Sequence, residues 1–240
     1  MRVIRVPFDS TTIAEGRVRI SGADARHVVK VLRAMKGEQV IAFAGDGREW
    51  DAVIDSVGPT SLTLALGPAR AARPESPCAI LLGQGVGKGE KLDLVVRAAT
   101  ELGVAEIVPV ATARAIAEGE GRATRLQRIA SESCKQCGRA KVPVVHPPES
   151  LAAFLARAKG AELKVVPWEG GGIPLAEAAR GGAKSAAILL GPEGGLEARE
   201  VEAAKAAGFI AVTLGPRVLR TETAGIVAVA ALQLLVGDMR

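Results

Sequence analysis

The chain has 240 residues, enough for one large domain or two small ones around a substantial core. Hydrophobic residues make up 48% and charged residues 24%, as in folded globular proteins, but aromatics are only 2% and Tyr is absent, so the core falls to Ala, Val, Leu and Ile. The formal net charge is +5; no apolar run reaches the roughly 18 residues of a membrane span and Met1–Arg5 lacks the apolar stretch of a signal peptide, so no membrane association and a cytoplasmic location are expected.

The first seventy residues read as mostly β. Ser21, Gly22, Ala23 and Asp24 open a short helix with capping-box character that runs to about Met35, before Gly37. Residues 38–43 alternate like a strand. Asp46-Gly47 signals a hairpin, and strands follow over 49–57 and 61–66. Short strands around one helix predict a small barrel-like domain over 1–70. Residues 67–77 contain Pro68, Pro74 and Pro77 and read as a linker.

From residue 76 to 240 strands and helices alternate. Strands are predicted over 78–82, 106–110, 142–145, 163–166, 186–190 and 210–214, with a helix over 90–102 that places Leu92, Val95, Val96 and Ala99 on one face. This pattern predicts a mostly parallel, doubly wound α/β domain. The glycine-rich run from Gly83 to Gly89 is not a phosphate loop. A Walker loop needs Gly where Leu82 stands and Ser or Thr where Gly89 stands, and neither register of G-x-G-x-x-G fits. It remains a basic strand-to-helix loop carrying Lys88, at a strand end where ligands bind.

The charge is concentrated. Residues 122–141 carry Arg122, Arg125, Arg128, Lys135, Arg139 and Lys141 against Glu132 alone, which accounts for the whole excess of +5. At 100° per residue, Arg125, Arg128, Lys135 and Arg139 share one helix face and Leu126, Ile129, Ala130 and Cys137 the opposite one. Such a stripe is either a phosphate footprint or a solvated face. Three cysteines give no disulfide framework, and Cys134 with Cys137 lacks a second ligand pair. The pair reads as small residues on a buried helix face, and no metal is expected.

Two strand-to-helix loops carry the strongest signal. One is Leu190-Gly191-Pro192-Glu193-Gly194-Gly195-Leu196. The other runs Leu214-Gly215-Pro216-Arg217-Val218-Leu219-Arg220-Thr221-Glu222-Thr223-Ala224. Glycines let a backbone approach a ligand closely. Taken singly, each loop is also explained as a Gly-Pro turn, the second with a helix N-cap at Thr221. Together these motifs resemble the signature of the RsmE-type 16S ribosomal RNA uridine N3-methyltransferases of the SPOUT superfamily. The likeness extends to His27-Val28-Val29-Lys30-Val31-Leu32-Arg33, Lys88-Gly89-Glu90-Lys91, Glu101-Leu102-Gly103 and Gln136-Cys137-Gly138-Arg139, and so covers nearly the whole chain in order.

The resemblance implies a small PUA-like, RNA-binding β-barrel domain over 1–70, followed over 76–240 by a SPOUT-type, trefoil-knotted α/β domain with a mostly parallel sheet. It implies S-adenosylmethionine as donor, held by Pro167, Leu190, Gly191, Glu193, Gly195, Leu214, Gly215, Leu219 and Thr223. The expected activity is methylation of N3 of a uridine in 16S ribosomal RNA of the small subunit, by a homodimer needing no metal. Arg220 would stabilise charge developing on the uracil carbonyls, and Glu222 would accept the N3 proton. Candidate RNA contacts are Arg26, Lys30 and Arg33 in the first domain, and Lys88, Arg125, Arg128, Lys135 and Arg139 beyond it. At Ala111-Thr112-Ala113-Arg114 the chain departs from the family, which commonly has an acid or Ser before the Arg. A methyltransferase of the same fold acting on tRNA or another ribosomal RNA nucleotide, or a noncatalytic ribosome-assembly protein, is the alternative reading.

Overall fold

The computed structural model describes residues 4–85, 87, 90–115 and 121–239. By their contacts the residues form two units, 1–75 with 131–142, and 76–130 with 143–240.

In the first unit, β1 (Arg5–Pro7), β2 (Arg17–Ser21), β3 (Gln39–Phe43), β4 (Glu49–Val57) and β5 (Ser61–Arg70) make one sheet in the order β1-β3-β4-β5-β2. All neighbours are antiparallel except β1 with β3. Alternation points one side of each strand inward, and Val18, Ile20, Val40, Ala42, Ile54, Leu62 and Leu64 meet in a core with Val6 and Phe8.

The first helix is shorter than predicted. Gly22–Arg26 is α-helical (α1), and His27–Val31 continues it with wide π-type turns, such as Leu32 N–H to His27 O at 3.0 Å. Arg33 then adopts φ +55°, a left-handed conformation that a right-handed helix cannot propagate. The predicted capping at Ser21 is absent: its side chain caps nothing, and Asp24 pairs with Lys135 instead.

In the second unit β6 (Ala79–Gly85), β7 (Glu106–Ala111), the short β8 (Val144–Val145) and β9 (Glu149–Ser150), β10 (Leu163–Pro167), β11 (Ile173–Pro174), β12 (Ser185–Leu190) and β13 (Ile210–Thr213) form one sheet. Its order is β11-β13-β10-β12-β6-β7-β8, with β9 beside β7, and every pairing is parallel. The strand expected over 142–145 is confined to its last two residues because Val142 bonds to Gly45 of the first unit's residues. The helices are α2 (Lys91–Glu101), α3 (Arg122–Cys137), α4 (Leu151–Arg157), α5 (Leu175–Ala178), α6 (Ala198–Ala206) and α7 (Thr221–Val236). Residues 131–137 of α3 group with the first unit.

The central strands are nearly continuous apolar runs, as parallel sheets covered on both faces require. Ile80, Leu82, Ile107, Val165, Ile188 and Leu189 are fully buried, each contributing about 1.5–3 kcal/mol. Ser150 caps α4, and Glu197 with Glu200 makes a capping box at α6.

The connection after β13 positions the site. β13 lies on the far side of β10 from β12, yet α7 packs back on α2, β6 and β12. The segment Leu214–Arg220 therefore crosses the carboxyl ends of the strands and enters α7 beside the loop that follows β12. Among the described residues, no helix is long and apolar enough to cross a membrane.

Candidate functional site

Three strand ends, those of β10, β12 and β13, open onto one cavity of about 480 Å³. Parallel sheets present such crevices at their carboxyl ends, where strand neighbours diverge. Pro167, Leu190, Gly191, Glu193, Gly195, Leu214, Gly215 and Leu219 all line it; Thr223, expected with them, does not and is exposed. Arg220 also lines it.

Two glycines show why this loop chemistry is needed. A Cβ on Gly191 would come within 2.8 Å of the Leu196 nitrogen, so the tight fold of the loop after β12 excludes any side chain there. Gly215 has φ +116°, outside the range of ordinary residues, and Thr213 fixes that turn by bonding both its N–H and its carbonyl.

Thr221 is not the helix N-cap. Arg220 holds that position with extended backbone and no side-chain cap bond. The Thr221 hydroxyl instead donates to the Gly191 carbonyl at 2.5 Å and accepts from Gln84 Nε2 at 2.8 Å. Gln84, 2% exposed at the end of β6, also reaches the Gly191 carbonyl at 3.5 Å. One buried amide thus ties the loop after β12 to the start of α7. Sequence reasoning missed Gln84, whose only signal was a lone amide in an apolar strand.

The charged groups are arranged differently from expectation. Glu222 does not line the cavity; its side chain is 13% exposed and stands 3.8 Å from the Lys91 ammonium. Lys91 does line the cavity and pairs with Glu193 at 3.1 Å. On the opposite flank Arg114 donates to the Gly194 carbonyl, and Glu200 accepts from the Ala113 N–H at 2.8 Å.

The candidate RNA contacts divide into two kinds. Arg26, Lys30, Arg33 and Arg128 are exposed and make no ion pair among the described residues. Arg125 pairs with Asp93 and Glu90, Lys135 with Asp24 and Glu132, and the buried Arg139 with Glu75. Lys88 lies outside the described residues. Among the described residues no cluster of three His, Cys, Asp or Glu side chains is arranged for a metal. A hydrogen bond donated by the Cys134 thiol to Cys137, together with burial, pushes the Cys134 thiol up, favouring the protonated form that ligates metals poorly.

Fold and site together define an α/β domain whose strand-end loops enclose a small-molecule cavity beside a cationic rim. Residues 74–233 match the RNA methyltransferase domain family and residues 20–66 the RNA methyltransferase PUA domain family. The chain is 31% identical to the ribosomal RNA small subunit methyltransferase E of Bacillus subtilis, over 91% of this chain and 92% of that one. It is 30% identical to the Mycobacterium tuberculosis protein of that name, over 90% and 86%. The crystal structure of a ribosomal RNA small subunit methyltransferase E from Neisseria gonorrhoeae bound to S-adenosyl methionine superposes with a TM-score of 0.92 at 31% identity, covering 100% of both chains. A Legionella pneumophila structure with bound SAM gives 0.90, also at 31% identity and covering 100% of both chains. The chain belongs to the ribosomal RNA small subunit methyltransferase E family.

Proposed function

We propose that this chain methylates N3 of a uridine in 16S ribosomal RNA, with S-adenosylmethionine as donor. The observation that carries the reading is the cavity itself, built by the Gly191 and Gly215 loops with Arg220 on its wall. Its volume lies within the roughly 300–1,000 Å³ of small-molecule sites. Leu190, Leu196, Val212 and Leu219 offer apolar surface to a flat ring, while the glycine loops bring backbone groups close. Pro167, Leu190, Gly191, Glu193, Gly195, Leu214, Gly215 and Leu219 would hold the donor. The donor supplies a methyl group on a sulfonium sulfur.

The residues orient and stabilise. Holding both reactants in line provides much of the rate. A uracil losing its N3 proton spreads negative charge over two carbonyl oxygens, and the paired donors of the Arg220 guanidinium match such a planar anion. Glu222 serves the same chemistry as the carboxylate partner of Lys91. The exposed Arg26, Lys30, Arg33 and Arg128 would contact RNA phosphates.

The working unit is a homodimer in the cytoplasm. Its support is α7, which keeps Leu234 58% exposed although the helix is apolar on all sides, and an isologous interface is the usual cover for such a surface. Mass-spectrometric mapping of ribosomal RNA from a deletion strain tests the function. One N3-methyluridine of 16S RNA should disappear and return on complementation. An unchanged map refutes the reading.

A further inference from the structure

Lys91, the first residue of α2, lines the cavity together with its partner Glu193, whereas Glu222 does not. Its ammonium stands 3.1 Å from Glu193 Oε1 and 3.8 Å from Glu222 Oε2. Glu222 comes from the first turn of α7 and does not line the cavity, and its buried Oε2 accepts no hydrogen bond among the described residues. Of Lys91 and Glu222, the group that an entering base meets is therefore the cation. At 39% exposure the ammonium is partly solvated, so exchanging one acceptor for another costs little. An ammonium has three donors, enough for two carboxylates and one further oxygen.

Resting on the reading of the site as a uridine N3-methylation centre, we propose that Lys91 donates a hydrogen bond to a carbonyl oxygen of the target uracil and stabilises its anion. Glu193 and Glu222 are then positioning residues that hold the ammonium at the cavity wall. The N3–H bond breaks and its proton passes to water. The electron pair left on N3 takes the methyl carbon, whose former bonding pair stays on the donor sulfur. Arg220 and Lys91 together supply two cations to an anion with two carbonyl oxygens. Water carries the proton away, while the buried Glu222 Oε2 faces Lys91 at 3.8 Å.

The test uses the full chain and the ribosomal RNA it methylates, with product read as N3-methyluridine by mass spectrometry. Single-turnover rates of wild type, Lys91→Met and Lys91→Gln are measured from neutral to alkaline pH, with donor affinity by calorimetry and melting followed for each. Loss of one charge-stabilising donor is expected to slow transfer roughly 10²-fold at neutral pH, with donor affinity nearly unchanged. The deficit should shrink as pH rises, because a base already losing its proton to solvent needs less help. A lysine that merely braces the fold would give a deficit that is constant with pH. That result, a near-wild-type rate, or a parallel loss of donor affinity overturns the proposal. Should Lys91→Met fail to fold, folded Lys91→Gln decides by the same criteria. Wild type that yields no N3-methyluridine refutes the functional reading itself; wild type that yields it while the variants keep its rate refutes only the role of Lys91.

Discussion

Arg220 shows how one side chain can be separated from the frame that holds it. It is exposed, lines the cavity and makes no ion pair among the described residues, so replacing it strands no buried charge. Its backbone is set by the hydrogen bonds of its neighbour Thr221, not by its own guanidinium. Arg220→Ala and Arg220→Lys should therefore melt and bind donor almost as wild type does. Single-turnover transfer should fall by 10²–10³, or about 3–4 kcal/mol of barrier, and Lys should not rescue because it lacks the paired planar donors. A fast, folded Arg220→Ala removes Arg220 from the chemistry; a drop in melting temperature and donor affinity together makes it structural.

At the scale of elements, the junction of β6, the loop after β12 and α7 carries the site. Gln84 and Thr221 come from the ends of different elements and converge on one carbonyl, that of Gly191. Helix α7 leaves no room for a side chain at Gly225, where a Cβ would lie 2.6 Å from Gln84 Oε1, so the helix is held close to the amide. Thr221→Val keeps the shape but leaves the Gln84 amide without its best acceptor and the Gly191 carbonyl without its shortest bond. Stranding buried polar groups costs about 1–3 kcal/mol. Thermal melting should show that loss, and calorimetry should show weaker donor binding because the Gly191 loop is freed; Thr221→Ser should restore both. Melting unchanged in Thr221→Val would show that the junction does not depend on this hydroxyl.

Across the whole molecule, charge and apolar surface make separate predictions. Phosphate contacts release counterions, so Lys30→Ala and Arg128→Ala should each reduce the logarithmic salt slope of RNA binding by about one. Arg139→Ala should instead lower the melting temperature, since Arg139 is buried against Glu75. RNA titrations over a salt series check both, and unchanged slopes in the first two variants would sink the divided footprint. Leu234→Lys places a charge on the exposed apolar strip of α7 and should convert a dimer to monomers in sedimentation. Wild type that sediments only as monomer at micromolar concentration refutes the dimer.

Local pattern by itself determined the alternation of strands and helices beyond residue 76. Runs such as Ala186 to Leu190 keep their period whatever packs on them. It also determined the two loops of the cavity, because Gly and Pro after a strand restrict the backbone directly. The family motif made the donor and the class of reaction readable from the same residues. Only tertiary structure decided which charges were spent inside the molecule. Arg125 and Lys135 share a helical face with Arg128, and Arg139, expected on the same face, lies past the end of α3 at Cys137; Asp93, Asp24 and Glu75 claim these three while Arg128 stays open. It likewise set Lys91 before Glu222, and closed Gln84 on Thr221 across 137 positions. Hydrophobic period is a property of neighbours in the chain, whereas an ion pair or a buried hydrogen bond depends on a partner that folding alone brings within 3 or 4 Å.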